Sequence, residues 1–277
     1  MGFGKAFKGI GKGIGRLTGN LTGGLIGKSD AERNQDRMLE AQKQEADRQA
    51  DLYRQQMEGE RKRRKEEARL KGMLRYEEKL YAKGYRYIAG IDEAGRGPVA
   101  GPVTVAAVIL PIRPLIYGLN DSKKVSPKKR EELFDMIINE AIAVSCINFS
   151  EEDIDRYDIY HATQLAMYTA VKTLDISPQA VLIDAMPLPD LEIYHESIVG
   201  GDAQSQSIAA ASIIAKVTRD RIMEEYDRQY PRYGFAEHKG YLTQAHKDAI
   251  AQYGPCPIHR KSFEPVKSMV GFSRDTL

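Results

Sequence analysis

The sequence is poor in cysteine and has no long apolar run. Its two cysteines, Cys146 and Cys256, lie far apart without metal-ligand spacing, which argues against a disulfide framework and fits a reducing compartment. No apolar run reaches the ~18 residues that are needed to cross a bilayer. Glycines interrupt the N-terminus and no compact apolar stretch follows its basic residues, so a secretory signal is not predicted. The expected location is cytoplasmic.

The net charge of +2 is small because two unlike parts of the chain nearly cancel. Residues 1–76 hold 18 lysines and arginines against 11 acidic residues, a net of +7, whereas the remainder has a net charge of −5. A basic arm on a mildly acidic body typically seeks phosphates, on nucleic acid or on a membrane surface. The alternative is a solvated, charged helix with no such partner.

Residues 1–29 contain ten glycines, five basic residues and no acidic residue. Their apolar residues recur at steps of three or four, which places them on one helical face: Phe3, Phe7, Ile10, Ile14, Leu17, Leu21 and Leu25. Each glycine costs a helix about 1 kcal/mol relative to alanine. We therefore expect disorder in solution and helix formation only on a membrane or a protein partner; the alternative is a flexible tail with chance periodicity.

Residues 30–71 have no proline, and Gly59 is their only glycine. Their dense charge and sparse apolar residues predict a long exposed helix, with a basic run at 61–65 that either contacts phosphate or is simply solvated. The composition changes near Gly72. We therefore predict four regions: the arm at 1–29, the charged helix at 30–71, a folded domain at 72–270 and a tail at 271–277.

The folded region alternates apolar strands with helical stretches. Strands are predicted at 87–92, 102–110, 144–149 and 180–184, and helices at 127–143, 161–174, 207–230 and 242–252. This alternation indicates an α/β fold with one mixed sheet flanked by helices.

Four acidic residues stand at the ends of predicted core elements: Asp92, Glu93, Asp184 and Asp202. Brought together they would repel one another, and divalent cations such as Mg²⁺ or Mn²⁺ would remove that repulsion. Two ions about 4 Å apart suit phosphodiester hydrolysis. Because neighbouring strand residues face opposite ways, Asp92 and Glu93 reach one site only if the chain bends there. The alternative is that each acid is a cap or a surface charge, with Asp202 capping the following helix.

Further residues could bind a nucleic-acid backbone or sugar, either as basic groups, as glycines that permit close approach, or as a stacking ring. They are Gly95, Arg96, Gly97, Ser122, Lys123, Lys124, Tyr241, Arg260 and Lys261. For Tyr241 the alternative is a core tyrosine.

Together these segments resemble the ribonuclease HII family. The resemblance runs in order through residues 90–98 (GIDEAGRGP), 121–124, 183–186, 201–203, 207–217, 239–241 and 259–263, and covers roughly residues 75–267. Two features depart from the family pattern: Val125 stands where leucine is usual, and residues 1–71 have no counterpart.

The resemblance implies a ribonuclease H-like fold with a C-terminal helical part. It implies cleavage of the RNA strand of RNA–DNA hybrids, and cleavage 5′ of single ribonucleotides embedded in duplex DNA. It places Asp92, Glu93, Asp184 and Asp202 as metal-binding catalytic acids. It further places residues 95–97 as the element that reads the ribose 2′-hydroxyl, and Tyr241 as a ring that packs on the neighbouring deoxyribose.

A competing hypothesis is a non-catalytic binding protein. In it the basic arm docks on a membrane, a virion or a partner, and the nuclease fold is only a platform. The intact set of acids argues against it, because clustered acids without a function cost stability. A monomer is the simplest expectation.

Overall fold

The computed structural model describes residues 29–274. Within these residues the chain divides into two units, one ending at Gly59 and the other beginning at Glu60. The predicted amphipathic arm lies, except for its last residue, outside the described residues, and its docking on a membrane or partner stays a prediction.

Helix α1 spans Asp30–Gly72, close to the predicted charged helix. It begins with a capping box, in which the Glu32 amide donates to the Ser29 hydroxyl and Glu32 accepts from the Ser29 amide. Its residues 30–65 are exposed, and within the basic run Arg63 and Arg64 each pair with a glutamate one turn away. Among the described residues, no helix is apolar and long enough to span a membrane.

A mixed sheet forms the centre of the second unit, as predicted, with five strands where four were expected. Its strands are β1 (Ile88–Ala94), β2 (Val103–Ile109), β3 (Ala143–Phe149), β4 (Ala180–Asp184) and β5 (Tyr194–Ile198), in the order β3-β2-β1-β4-β5. Strand β1 pairs antiparallel with β2 and parallel with β4, and β4 pairs parallel with β5. Strand β5 was not predicted, because this edge strand is largely exposed and has no apolar run.

Helices surround the sheet and form the C-terminal part: α2 (Arg75–Ala82), α3 (Pro127–Glu140), α4 (Glu151–Tyr157), α5 (Ile159–Lys172), α6 (Gln206–Gln229), α7 (Phe235–His238), α8 (Gln244–Tyr253) and α9 (Val266–Val270). Two main cores result, one shared by the sheet with α3 and α6 and the other by the sheet with α5.

Helix α6 lies very close to β1, and residues 206–215 of it are buried throughout. Gly90 permits this approach, since a Cβ atom there would lie 2.0 Å from the carbonyl carbon of Ser207. The close contact places the first turns of α6 along β1, with Ser207 against Gly90 and Ser212 near Asp92.

Candidate active site

Three aspartates converge at one edge of the sheet. Asp92 and Asp184 lie on the parallel neighbours β1 and β4, near their carboxyl ends, and Asp202 lies in a short 3₁₀ turn before α6. Each offers a carboxylate oxygen, and the three oxygens lie within 4.8 Å of one another. Like charges this close are costly unless a proton or a cation intervenes.

The predicted bend between Asp92 and Glu93 is absent. Strand β1 continues through both residues to Ala94, in regular register with β2. The Glu93 carboxylate therefore lies outside the group of three aspartates, and one of its oxygens is 3.3 Å from Arg96. Its other oxygen, Oε2, is buried and has no hydrogen-bond partner among residues 29–274.

The carboxyl groups of the site have strongly shifted pKa values. Burial, then the Glu93 charge, raise the pKa of Asp92 well above its usual value. Burial raises the pKa of Glu93, opposed by Arg96. Burial, followed by the charges of Asp121 and Asp184, raises the pKa of Asp202 to about 6. The folded protein holds these acids together at a cost in free energy, as functional sites commonly do.

Backbone groups fix the turn that carries Asp202. The Gly201 amide donates to Asp184 Oδ1 at 2.7 Å, which ties the turn to the end of β4. The alternative that Asp202 caps α6 is wrong, because the N-cap of α6 is Ser205, whose hydroxyl accepts from the Ile208 amide. Asp202 is thereby left to face the other acids.

Sequence reasoning missed two neighbours of the acids. The carboxyl groups of Asp121 and Asp202 lie close enough to share a hydrogen bond when Asp202 is protonated, which raises the pKa of Asp202. Burial acts to raise the pKa of Asp121, but hydrogen bonds from the Lys123 amide, Asp202 and Lys124 outweigh it and lower the pKa. The Ser212 hydroxyl lies within hydrogen-bonding reach of Asp92 and 2.9 Å from the Ser122 hydroxyl, and its single proton goes to one of them at a time. The available signal for Asp121 was its place in the segment 121–124, which we interpreted only as phosphate-binding.

The donor set fits divalent cations. All three converging ligands are carboxylate oxygens, which hard cations such as Mg²⁺ and Mn²⁺ prefer. Among the described residues, Glu93 Oε2 has no hydrogen-bond partner, and a bound cation or its water would supply one. The pKa values of Asp92 and Asp202 are raised, so a nearby cation would stabilise their ionised forms.

The Gly95–Arg96–Gly97 loop follows β1 directly and packs against the buried side chain of Arg219. Gly95 has φ +97°, and a Cβ there would lie 2.0 Å from Arg219 Nε. Arg219 is buried and donates to the carbonyls of Pro102, Lys239 and Ala100. No acceptor in residues 29–274 takes the backbone N–H of Arg96 or Gly97, so these groups are available to a ligand.

The structure places Arg260 differently from our prediction. Arg260 is buried, and its guanidinium donates to the carbonyls of Gly101, Arg96 and Gly95. Such a side chain positions the loop and has no surface to offer to substrate. Its neighbour Lys261 is exposed, with its amide bonded to Asp155 at 3.0 Å.

Tyr241 lies beside the loop. Its side chain is 49% exposed, so the alternative of a core tyrosine is wrong. A Cβ at Gly97 would lie 3.5 Å from Tyr241 Cε1, so the ring and the loop border one surface.

The segment 121–124 divides between the interior and the surface. Ser122 is buried against Ser212, Lys123 is exposed near Glu93 and Asp202, and Lys124 is exposed and pairs with Asp121 at 3.4 Å. Only the two lysines are open to a phosphate.

Comparison with known proteins agrees with this geometry. A family model described as Ribonuclease HII matches residues 89–266. A Ribonuclease HII of Bacillus licheniformis is 55% identical over 71% of this chain and 76% of its own length. Another, of Acetivibrio thermocellus, is 57% identical over 69% of this chain and 75% of its own length. The crystal structure of ribonuclease H2 from Pyrococcus horikoshii has a TM-score of 0.58 and 28% identity, over 66% of this chain and 96% of that one.

The family match covers the acidic cluster, the glycine-rich loop and all of the sheet except Ile88. These matches overturn the competing hypothesis of a non-catalytic platform. The chain belongs to the ribonuclease HII family, and it is a metal-dependent endoribonuclease with a ribonuclease H-like fold.

Proposed function

We propose that this enzyme cleaves the RNA strand of RNA–DNA hybrids and cuts 5′ of single ribonucleotides embedded in duplex DNA, with two divalent cations bound. The observation that carries the proposal is the convergence of Asp92, Asp184 and Asp202 next to a loop with free backbone N–H groups. The relatives named Ribonuclease HII support the same substrate class.

The acids would hold the cations over the scissile phosphate. Asp92, Asp184 and Asp202 supply converging oxygens, and Glu93 supplies a further carboxylate one residue along β1. When bound, the cations would lower the pKa of an attacking water and offset charge on the leaving oxygen. Mg²⁺ and Mn²⁺ both suit the ligand set.

The loop would distinguish RNA from DNA. A protein that tells the two apart at one position must read the 2′-hydroxyl. The N–H groups of Arg96 and Gly97 are free to donate to it, and the glycines allow the backbone to approach where a side chain would clash. Tyr241, exposed beside Gly97, would pack on the sugar of the adjacent nucleotide.

Basic groups would bind the flanking phosphates. Lys123 and Lys124 lie on the exposed side of the acidic cluster, and Lys261 lies on the surface near the loop's support Arg260. Each would add salt-dependent affinity without sequence preference.

The test uses a labelled DNA duplex with one ribonucleotide, an all-DNA control and the Asp92→Asn variant, with Mg²⁺ or Mn²⁺. We expect one cut 5′ of the ribonucleotide, none in the control, and loss of cleavage in the variant. No cut with either cation by a folded wild-type protein would contradict the proposal.

A further inference from the structure

Three histidines and a cysteine cluster in the C-terminal helical part, apart from the acids, and two of the histidines are buried. His246 and His259 are 0% and 2% exposed, and their Nε2 atoms lie 3.0 Å apart. His259 Nδ1 faces the amide of Cys256 at 3.0 Å, and His246 Nδ1 faces the carbonyl oxygen of Tyr241 at 3.0 Å. The chain of contacts therefore ends on the residue we assign to the substrate surface.

The partners of these rings determine where their protons lie. The Tyr241 carbonyl only accepts, so His246 Nδ1 carries a hydrogen. A neutral His246 then has a bare Nε2, which accepts from the Nε2–H of His259. His259 is left with a bare Nδ1, which accepts from the Cys256 amide at 3.0 Å and donates nothing to the Cys256 carbonyl oxygen 3.2 Å away. Each bond in the series thus has one donor and one acceptor.

Burial favours this neutral arrangement. It lowers the pKa of both His246 and His259 to about 4, so neither ring is charged at neutral pH. The groups that surround the pair are His238, Tyr233, Phe235 and Cys256, none of which brings a negative charge to stabilise an imidazolium.

The third histidine, His238, bonds to the other backbone polar group of Tyr241. The His238 carbonyl accepts from the Tyr241 amide at 2.9 Å, and the His238 ring stacks on His246 with centroids 4.2 Å apart. His238 Nε2 donates to the Tyr233 carbonyl, and its Nδ1 accepts from the Gly240 amide. Both the N–H and the C=O of Tyr241 are therefore fixed, while its side chain stays half-exposed.

We propose that His246 and His259 are positioning residues, a neutral hydrogen-bonded pair that holds the Tyr241 backbone so that its ring borders the glycine-rich loop. The proposal rests on the proposed function of Tyr241 at the substrate surface. A ring that is already held in place increases substrate affinity, because its conformational entropy is lost on folding and not on binding.

The tautomers give a test that is independent of activity. In the full-length protein with ¹⁵N-labelled histidine at neutral pH, NMR should show His246 as the Nδ1–H tautomer and His259 as the Nε2–H tautomer. The opposite tautomer at either ring, or a doubly protonated ring, would overturn the proposal, whatever the enzyme cleaves.

A matched pair of variants tests the effect on substrate. In His246→Asn the side-chain amide stands where Nδ1 stood and still donates to the Tyr241 carbonyl, whereas in His246→Gln it stands near Nε2 and does not reach. Because one hydrogen bond is worth about 1 kcal/mol, KM for a duplex with a single ribonucleotide should rise about fivefold in His246→Gln and less than about twofold in His246→Asn.

The Tyr241→Ala variant is the reference. If Tyr241→Ala raises KM while both His246 variants change it equally, the bond to the carbonyl has no positioning role and the proposal fails. If Tyr241→Ala leaves KM unchanged, the proposed function of Tyr241 fails, and with it the effect of the histidines on substrate. The NMR result still decides whether the hydrogen-bonded pair exists.

Discussion

Replacing Asp202 by asparagine should stabilise the metal-free protein while abolishing its activity. The pKa of Asp202 rises from 3.8 to about 6 on folding, mainly by burial and by the charges of Asp121 and Asp184. Two pKa units correspond to about 3 kcal/mol, and solvent on the open side of the site reduces this to about 1–2 kcal/mol. The amide of asparagine would in addition donate to Asp121.

The effect should depend on pH in a defined direction. Because the folded state binds the Asp202 proton more tightly than the unfolded chain, this carboxyl costs nothing below 3.8 and its full cost is present above about 6. The gain of Asp202→Asn should therefore be small near pH ~4 and complete near pH ~8. For a folded region of this size, about 1–2 kcal/mol corresponds to a Tm increase of roughly 3–6 °C.

Thermal denaturation in EDTA at the two pH values measures this gain. Asp135→Asn, an exposed carboxylate on α3, is the control and should leave Tm unchanged. Added Mg²⁺ or Mn²⁺ should raise Tm of the wild type and much less that of Asp202→Asn. A variant that is less stable than the wild type in EDTA at pH ~8, or equally stabilised at both pH values, would refute the reasoning.

Three further outcomes are expected. Gly95→Ala should lower the free energy of unfolding by about 3 kcal/mol or more and remove most of the cleavage activity. The added Cβ would lie 2.0 Å from Arg219 Nε, in a backbone with positive φ. An unchanged Tm would contradict this. Arg260→Lys should destabilise the folded protein by about 2–4 kcal/mol and weaken the preference for a ribonucleotide over a deoxynucleotide. The reason is that lysine cannot reach the three carbonyls that Arg260 contacts. Denaturant unfolding measures the first effect, and paired cleavage assays measure the second. The free energy of unfolding should fall as the pH decreases from 6.5 towards about 4, because burial lowers the pKa of His246 and His259 and the unfolded chain binds those protons more readily. His246→Asn should make stability depend less on pH in this range. An unaltered slope in the variant would contradict this explanation.

Much of the fold could be predicted from the sequence, because its apolar runs are long and buried. Strand β4 has the predicted bounds, and α6 differs from its prediction by one residue at each end. Asp92 and Asp184 were identifiable as site candidates for the same reason: each stands at the end of an apolar strand, and the carboxyl ends of parallel strands meet at one edge.

The errors arose where residue type does not reveal burial. Arg260 was predicted to be a surface phosphate ligand, but the sequence does not reveal whether a basic residue in a motif faces solvent or the carbonyl groups of a loop. Asp121 stands two residues before a pair of lysines, which drew attention to phosphate binding. Its contact with Asp202 depends on a loop that periodicity does not describe. A bend was inferred as the way to bring Asp92 and Glu93 to one site, whereas β1 stays in regular register and the Glu93 charge still raises the pKa of Asp92.

The contact at Gly90 bears on how freely this sequence can vary. Gly90 carries no functional group, yet even one added carbon there would strike the backbone at Ser207. Helix α6 would have to move away from β1, and with it Ser212, whose hydroxyl lies within hydrogen-bonding reach of Asp92. In a survey of all single substitutions, Gly90 should therefore be as intolerant as the acids themselves, although it touches neither cation nor nucleic acid.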